Sequence, residues 1–174
     1  MAIRTFENKT PVIGNNAHVD ETALILGDVE IGEDTSLWPM TVARGDVFHI
    51  RIGKRTNVQD NSVLHVTHYG KYGDGSPLII GDDVTIGHRV IAHACTIGDC
   101  CLIGMGSIIL DKAVIESHVL LGAGSLVPEG KVLESGYLYF GNPVKQIRKL
   151  SNEEIEFLSY SANHYVELKN RHQK

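Results

Sequence analysis

Residues 97–127 read IGDCCLIGMGSIILDKAVIESHVLLGAGSLV, with Ile97, Ile103, Ile109, Ile115, Leu121 and Val127 recurring every six positions. Six is the period of neither an amphipathic helix nor a simply alternating strand. It suits a short strand, a corner and another short strand, wound so that each aliphatic points into a narrow prism. The same spacing continues outward at Val19, Ile25, Ile31 and Leu37, at Ile52, Val58 and Leu64, and at Ile80, Ile86 and Ala92. Glycine often follows the aliphatic, as in Ile31-Gly32, Ile52-Gly53 and Ile80-Gly81. Four positions past the aliphatic stands a small or β-branched residue: Ala23, Thr35, Thr56, Ser62, Ser107, Ala113, Ser125. Self-similarity at a short fixed period marks a solenoid, whose stacked turns pair about 4.8 Å apart.

The pattern resembles the hexapeptide-repeat family. That resemblance implies an all-β solenoid, a left-handed parallel β-helix with three hexads per turn. The series breaks in a few places. It reaches Ala43 and then gains three residues before Ile52; it gains ten between Leu64 and Ile80; it loses one between Ala92 and Ile97. The ten-residue gain ejects a loop at about 67–77 (THYGKYGDGSP). The β-helix is expected over about 12–132, a return segment over 133–150 and a C-terminal α-helix over 151–172, all in a single domain, 1–174. Ser151-Asn152-Glu153-Glu154 is a capping box. Ile155, Leu158, Ala162, Tyr165 and Lys169 share one helical face, expected to pack along the prism with the Lys169 stem lying flat.

A chain of 174 residues suits one soluble domain with a sizeable core. Its net charge of −5, from 21 acidic and 16 basic residues with neither sign in a long block, argues against nucleic acid as a partner. No stretch nears the roughly 20 apolar residues of a membrane span, and the start MAIRTFENKT holds no apolar leader. No membrane partner and a cytoplasmic location are therefore expected. Cys95, Cys100 and Cys101 are odd in number and clustered, which fits free thiols better than a disulfide framework.

Three hexads per turn assign the faces in rotation. Ala43, Leu64 and Ala92 share a first face. The residues after them, Arg44, His65 and His93, point outward one above another. Imidazoles on vertical neighbours suit Zn–N bonds of about 2.0–2.1 Å. The preceding face carries Leu37, Val58 and Ile86, with Gln59, Asp60 and His88 outside them. Two walls of one prism diverge. His88 is therefore expected to complete a three-histidine site with His65 and His93 of a neighbouring chain, in a homotrimer closed by a heterologous contact. The same docking sets Arg44 of one chain towards Asp60 of another. His18, His49, His118, His164 and His172 are expected at the surface.

The strings Arg44-Gly45-Asp46, Asn57-Val58-Gln59-Asp60, Val63-Leu64-His65, Thr85-Ile86-Gly87-His88 and Ala92-His93-Ala94-Cys95-Thr96-Ile97-Gly98 resemble the γ-class carbonic anhydrase family. So do Leu133-Glu134-Ser135-Gly136-Tyr137-Leu138-Tyr139 and Tyr160-Ser161-Ala162-Asn163, which carries the likeness along almost the whole chain to the small bacterial members. The resemblance implies that His65, His88 and His93 bind zinc across a trimer interface. It implies that Arg44 and Asp60 form interface ion pairs, and that Gln59 lies beside the metal-bound water. Asp46 and Asn57, in the same strings, are expected at that interface. The implied reaction is hydration of carbon dioxide to bicarbonate by a metal-bound hydroxide, since such a site lowers the pKa of bound water to about 7.

One requirement of that chemistry is not met in the usual way. The well-characterised γ enzymes carry a Glu shortly after the RGD string, where this chain has Val47, and a glutamate proton shuttle in the loop that here reads THYGKYGDGSP. Among His68, Tyr69, Tyr72 and Asp74 the sequence singles out none; His68 is the loop residue retained as a candidate shuttle. Hydration is accordingly expected to be weak or lost. Competing functions are a hexapeptide-repeat acyltransferase, a metal-dependent thioesterase and a non-catalytic metal-binding trimer. Imidazole ligands also accept Fe2+ and Co2+ in place of Zn2+.

Overall fold

The computed structural model describes residues 2–173. The inward aliphatics from Ile25 to Val127 are all buried, and they stack in three parallel columns. One column runs Leu37, Val58, Ile86, Ile103, Leu121, Tyr139. A second runs Ile25, Ala43, Leu64, Ala92, Ile109, Val127. The third runs Ile31, Ile52, Ile80, Ile97, Ile115, Leu133. Each column is one wall of a parallel β-solenoid of about eight turns, closed along one side by a single C-terminal helix.

The corners explain the six-residue period. Three positions past the inward aliphatic the backbone turns left-handed: Asp34, Met40, Arg55, Asn61, Asp83, Arg89, Cys100, Lys112 and His118 all have φ between 52° and 60°. Each such residue costs about 1–2 kcal/mol in isolation. Hydrogen bonds between turns offset that cost. The buried hydroxyls of the next position donate to the neighbouring turn: Thr35 to the Gly53 carbonyl at 2.7 Å, Thr56 to Gly81 at 2.8 Å, Ser62 to Gly87 at 3.0 Å. Where the series loses a residue, after Ala92, the left-handed residue comes one place early, at Ala94 (φ 46°).

The parallel ladder runs past both expected limits. Ala2–Arg4 pairs with Leu24–Leu26. At the other end Val132–Leu133 and Tyr137–Gly141 remain parallel to the preceding turn. Leu133 and Tyr139 keep the six-residue step and are buried, so the segment expected to leave the solenoid at 133 still belongs to it. Val144–Lys149 then reverses, antiparallel to Tyr137–Gly141. The ejected loop is itself ordered as an antiparallel hairpin, Thr67–Gly70 against Gly73–Ser76.

Helix α1 spans Asn152–His172. Ser151 Oγ accepts the Glu154 amide at 3.3 Å, and Glu154 Oε2 accepts the Ser151 amide at 2.9 Å. Its buried residues, Leu158, Ala162 and Lys169, face the wall formed by Ser36–Leu37, Asn57–Val58 and Thr85–Ile86. Lys169 departs from the expected flat stem: its amino group is buried as well, 2.9 Å from Asp34 Oδ1 and 2.7 Å from Asn170 Oδ1. His18, expected at the surface, is half-buried against Trp38 at a ring-centroid distance of 5.6 Å; His172 is exposed as expected, its ring 5.1 Å from that of Trp38. Among the described residues no helix is long and apolar enough to cross a membrane.

Candidate metal centre

The pairing of Leu64 with Ala92 puts His65 directly beside His93 on the next turn. His65 Nδ1 lies 3.1 Å from His93 Nε2. The far nitrogen of each ring meets a carboxylate: His65 Nε2 is 3.2 Å from Asp46 Oδ1, and His93 Nδ1 is 2.6 Å from Asp111 Oδ1. Asp46 is held in turn by Arg44 at 2.6 Å, and Asp111 by the Thr67 hydroxyl. A carboxylate accepts, so each far nitrogen carries a proton; with both rings neutral, each near nitrogen then presents a lone pair. Two lone pairs this close repel unless a cation lies between them. Two nitrogens bound at about 2.0–2.1 Å to a tetrahedral zinc stand about 3.3 Å apart, close to the observed spacing. The carboxylate–histidine–metal arrangement is the usual way of fixing such ligands.

Electrostatics support the same protonation. Burial pushes the His65 pKa down, more than the Asp46 hydrogen bond raises it, and Arg44 and His93 push further in the same direction. The shift favours the neutral form of His65, the one able to ligate. Burial works to raise the Asp46 carboxyl, but hydrogen bonds from Arg44 and His65 hold it below the ordinary carboxylate range. Asp111 is held low against burial by Thr67 and His93.

His88 stands on the adjoining wall, just before the corner at Arg89. Its Nδ1 is 2.8 Å from Asp60 Oδ2 and its side chain is 47% exposed. Within one chain, no three metal-ligating side chains come together among the described residues. Arg44 pairs with Asp46 rather than Asp60 in this single chain. Gln59 is buried, its Nε2 donating to Asn57 Oδ1 at 3.1 Å. Asn57, expected at an interface between chains, is already buried inside this one, where its amide donates to Thr85 Oγ1 at 3.0 Å. The packing of α1 over this wall covers it. His68 is exposed on the hairpin and shares a cavity of about 200 Å³ with Thr67, Asp74 and Asp111.

The sequence reading missed Asp111. The signal was present: Asp111 lies 18 residues beyond His93, one full turn, so the same arithmetic that stacks His93 over His65 stacks Asp111 over His93.

Residues 94–129 match the bacterial transferase hexapeptide model (six repeats). YrdA of Escherichia coli is 54% identical over 98% of this chain and 93% of its own length. The carbonic anhydrase of Geobacillus kaustophilus is 48% identical over 95% of this chain and 87% of its own length. Mitochondrial gamma carbonic anhydrase 1 of Arabidopsis thaliana is 44% identical over 95% of this chain and 60% of its own length. The chain belongs to the γ-carbonic-anhydrase-like family. A solved member of the hexapeptide transferase family from Anaplasma phagocytophilum superposes with a TM-score of 0.90 at 41% identity, covering 97% of this chain and 96% of that one. The repeat architecture of this γ-carbonic-anhydrase-like chain is thus common to relatives whose names refer to different chemistries.

Proposed function

We propose that this chain is a zinc protein that hydrates carbon dioxide to bicarbonate at sites shared between the subunits of a homotrimer. The observation that carries the reading is the convergence of His65 Nδ1 and His93 Nε2, each ring anchored by a carboxylate at its far nitrogen. His65 and His93 of one subunit would hold the metal with His88 of the next. Fe2+ or Co2+ would fit the same donors. A bound zinc supplies the Lewis acidity that activates water near neutral pH.

The wall bearing the histidine pair favours a shared site. Outward of the core it carries a register of aliphatics, Leu24, Val42, Val63, Ile91, Ile108 and Leu126. Val63 is 38% and Ile91 40% exposed. An apolar stripe beside a two-ligand site suits coverage by another copy that brings the third ligand. In that docking Arg44 lies towards Asp60 of the neighbour.

Gln59 orients the reactants. Its amide nitrogen is committed to Asn57, which leaves Oε1 to accept, in a cavity that Gln59 lines together with His88. Proton export falls to His68 on the hairpin, in the absence of glutamate at Val47 and in the loop. An exposed, solvated histidine is a less direct carrier than a carboxylate built into the site, so turnover is expected to be slow. The acyltransferase, thioesterase and non-catalytic readings lack a feature as specific as the paired imidazoles.

Elemental analysis of anaerobically purified protein, with a hydration assay on the same sample, tests the proposal. Zinc near one per chain and a rate lost in His65→Ala support it. Equal, uncatalysed rates for both proteins across about pH 6–9 would overturn it.

A further inference from the structure

We infer that Asp111 is a positioning residue of this centre: it fixes the His93 ring and ties the 67–76 hairpin to the metal. The inference rests on the zinc reading above and adds a control element to it. Asp111 Oδ1 lies 2.6 Å from His93 Nδ1, and its other oxygen accepts the Thr67 hydroxyl. Thr67 is the first residue of the hairpin. The contrast with the other histidine is informative. Asp46, behind His65, is clamped by the Arg44 guanidinium on its own wall. Asp111 is held instead by a hydroxyl from the ejected segment.

The returning strand is anchored as well. Ser76 Oγ donates to the Ala94 carbonyl at 3.3 Å, on the residue after His93. Gly75, with φ of 71°, lies so close to Phe48 that a Cβ there would stand 2.9 Å from the ring. Phe48 belongs to the three-residue gain that begins just past Asp46. The hairpin therefore touches the supports of both histidines: Asp111 through Thr67, and the Asp46 segment through Phe48. When docked, it holds the Asp111 carboxylate in line with His93 Nδ1 and so aims Nε2 at the metal. Linkage is reciprocal: if docking strengthens metal binding, metal must strengthen docking by the same factor.

The test uses full-length wild type, Asp111→Ala, Asp111→Asn and Thr67→Val. Zinc affinity is measured by competition with a chromophoric chelator. The His93 tautomer is read from its ring-nitrogen NMR signals, and hairpin order from amide exchange over 68–75 with zinc and with chelator. Asp111→Ala should weaken zinc about 10–100-fold and lose the Nδ1–H preference of His93. Asp111→Asn still offers an oxygen to Nδ1–H and should recover most of both. Thr67→Val should weaken zinc by a smaller factor and remove the slowing of hairpin exchange by zinc. Affinity within twofold of wild type in Asp111→Ala, with the Nδ1–H tautomer kept, overturns the inference. So does hairpin exchange in wild type that ignores zinc. A wild type that binds no zinc removes the functional reading itself, and the inference with it; a zinc-binding wild type with unaffected variants removes only the inference.

Discussion

His65 Nδ1 and His93 Nε2 stand 3.1 Å apart because Leu64 and Ala92 are paired beneath them on successive turns. The two histidines are 28 residues apart in sequence; excising the ten-residue gain leaves one turn. Metal bound to this pair links two turns of the solenoid, so it must stabilise the native state. At free zinc about 100 times the dissociation constant the gain is about 2.7 kcal/mol, or a rise in Tm of several degrees for a domain of this size. Thermal melts with zinc and with chelator measure it. The shift should vanish in His65→Ala and in His93→Ala. In His88→Ala it should shrink together with the trimer, seen by sedimentation. A full shift in His65→Ala would place the metal elsewhere.

Gln59 and Asn57 form a hydrogen-bonded chain, and in the proposed mechanism its outer member, Gln59, orients the reactants. Gln59→Ala should lower kcat about 10–100-fold through misplacement of the reacting groups, with zinc content unchanged. Asn57→Ala leaves the buried Gln59 Nε2 without its partner, while the Thr85 hydroxyl keeps Ser161. It should cost about 1–3 kcal/mol of stability and lower kcat as well. Rate per bound zinc and urea midpoints separate the two effects. An Asn57→Ala protein that is destabilised but fully active would confine Asn57 to folding.

The solenoid was legible because each inward aliphatic from Ile25 to Val127 performs one task, and burial repeats it on every turn. The stacking of His65, His93, Asp60 and His88 followed from counting alone, because parallel turns carry register faithfully. What escaped was whatever depended on a partner outside the frame. Asn57 is buried because α1 lies over its wall, and no hexad count places α1. The Lys169 amino group is inside because Asp34, on a left-handed corner, turns its carboxylate towards it. Leu133 and Tyr139 kept the period, but the turn-rich GYLYFGNP string between and after them masked it.

The ion pair of Lys169 with Asp34 makes stability depend on acid. Hydrogen bonds from Lys169 first, then Asn16, hold the Asp34 carboxyl below its ordinary value. A carboxyl with a folded pKa below its unfolded one stabilises the protein above about pH 4. That contribution is lost as pH falls through the folded value. Asp34→Ala strands a buried ammonium and should cost about 3–5 kcal/mol at pH 7. Lys169→Met should be far milder and should flatten the decline of stability below about pH 4. Urea midpoints between about pH 2.5 and 7 measure this; parallel acid limbs for wild type and Lys169→Met would remove Asp34 from the cause.

Two glycines separate crowding from backbone strain. A Cβ at Gly32 would meet the Gly53 carbonyl oxygen at 2.4 Å, its carbon at 2.5 Å and the Lys54 nitrogen at 2.7 Å, all backbone of the next turn. Gly106 has φ of 70° with nothing within 4 Å of its Cβ position. The neighbouring turns place Asn61 and Arg89 at the equivalent corner with φ of 60° and 58°, so the fold accepts side chains there. Gly106→Ala should therefore cost about 1 kcal/mol, the left-handed penalty alone. Gly32→Ala must push neighbouring hydrogen-bonded turns away from each other and should cost at least about 3 kcal/mol, the upper end for overpacking. Chemical denaturation of both variants decides the order. If Gly106→Ala proves the more damaging, close approach between turns is not what the Ile-Gly repeat provides.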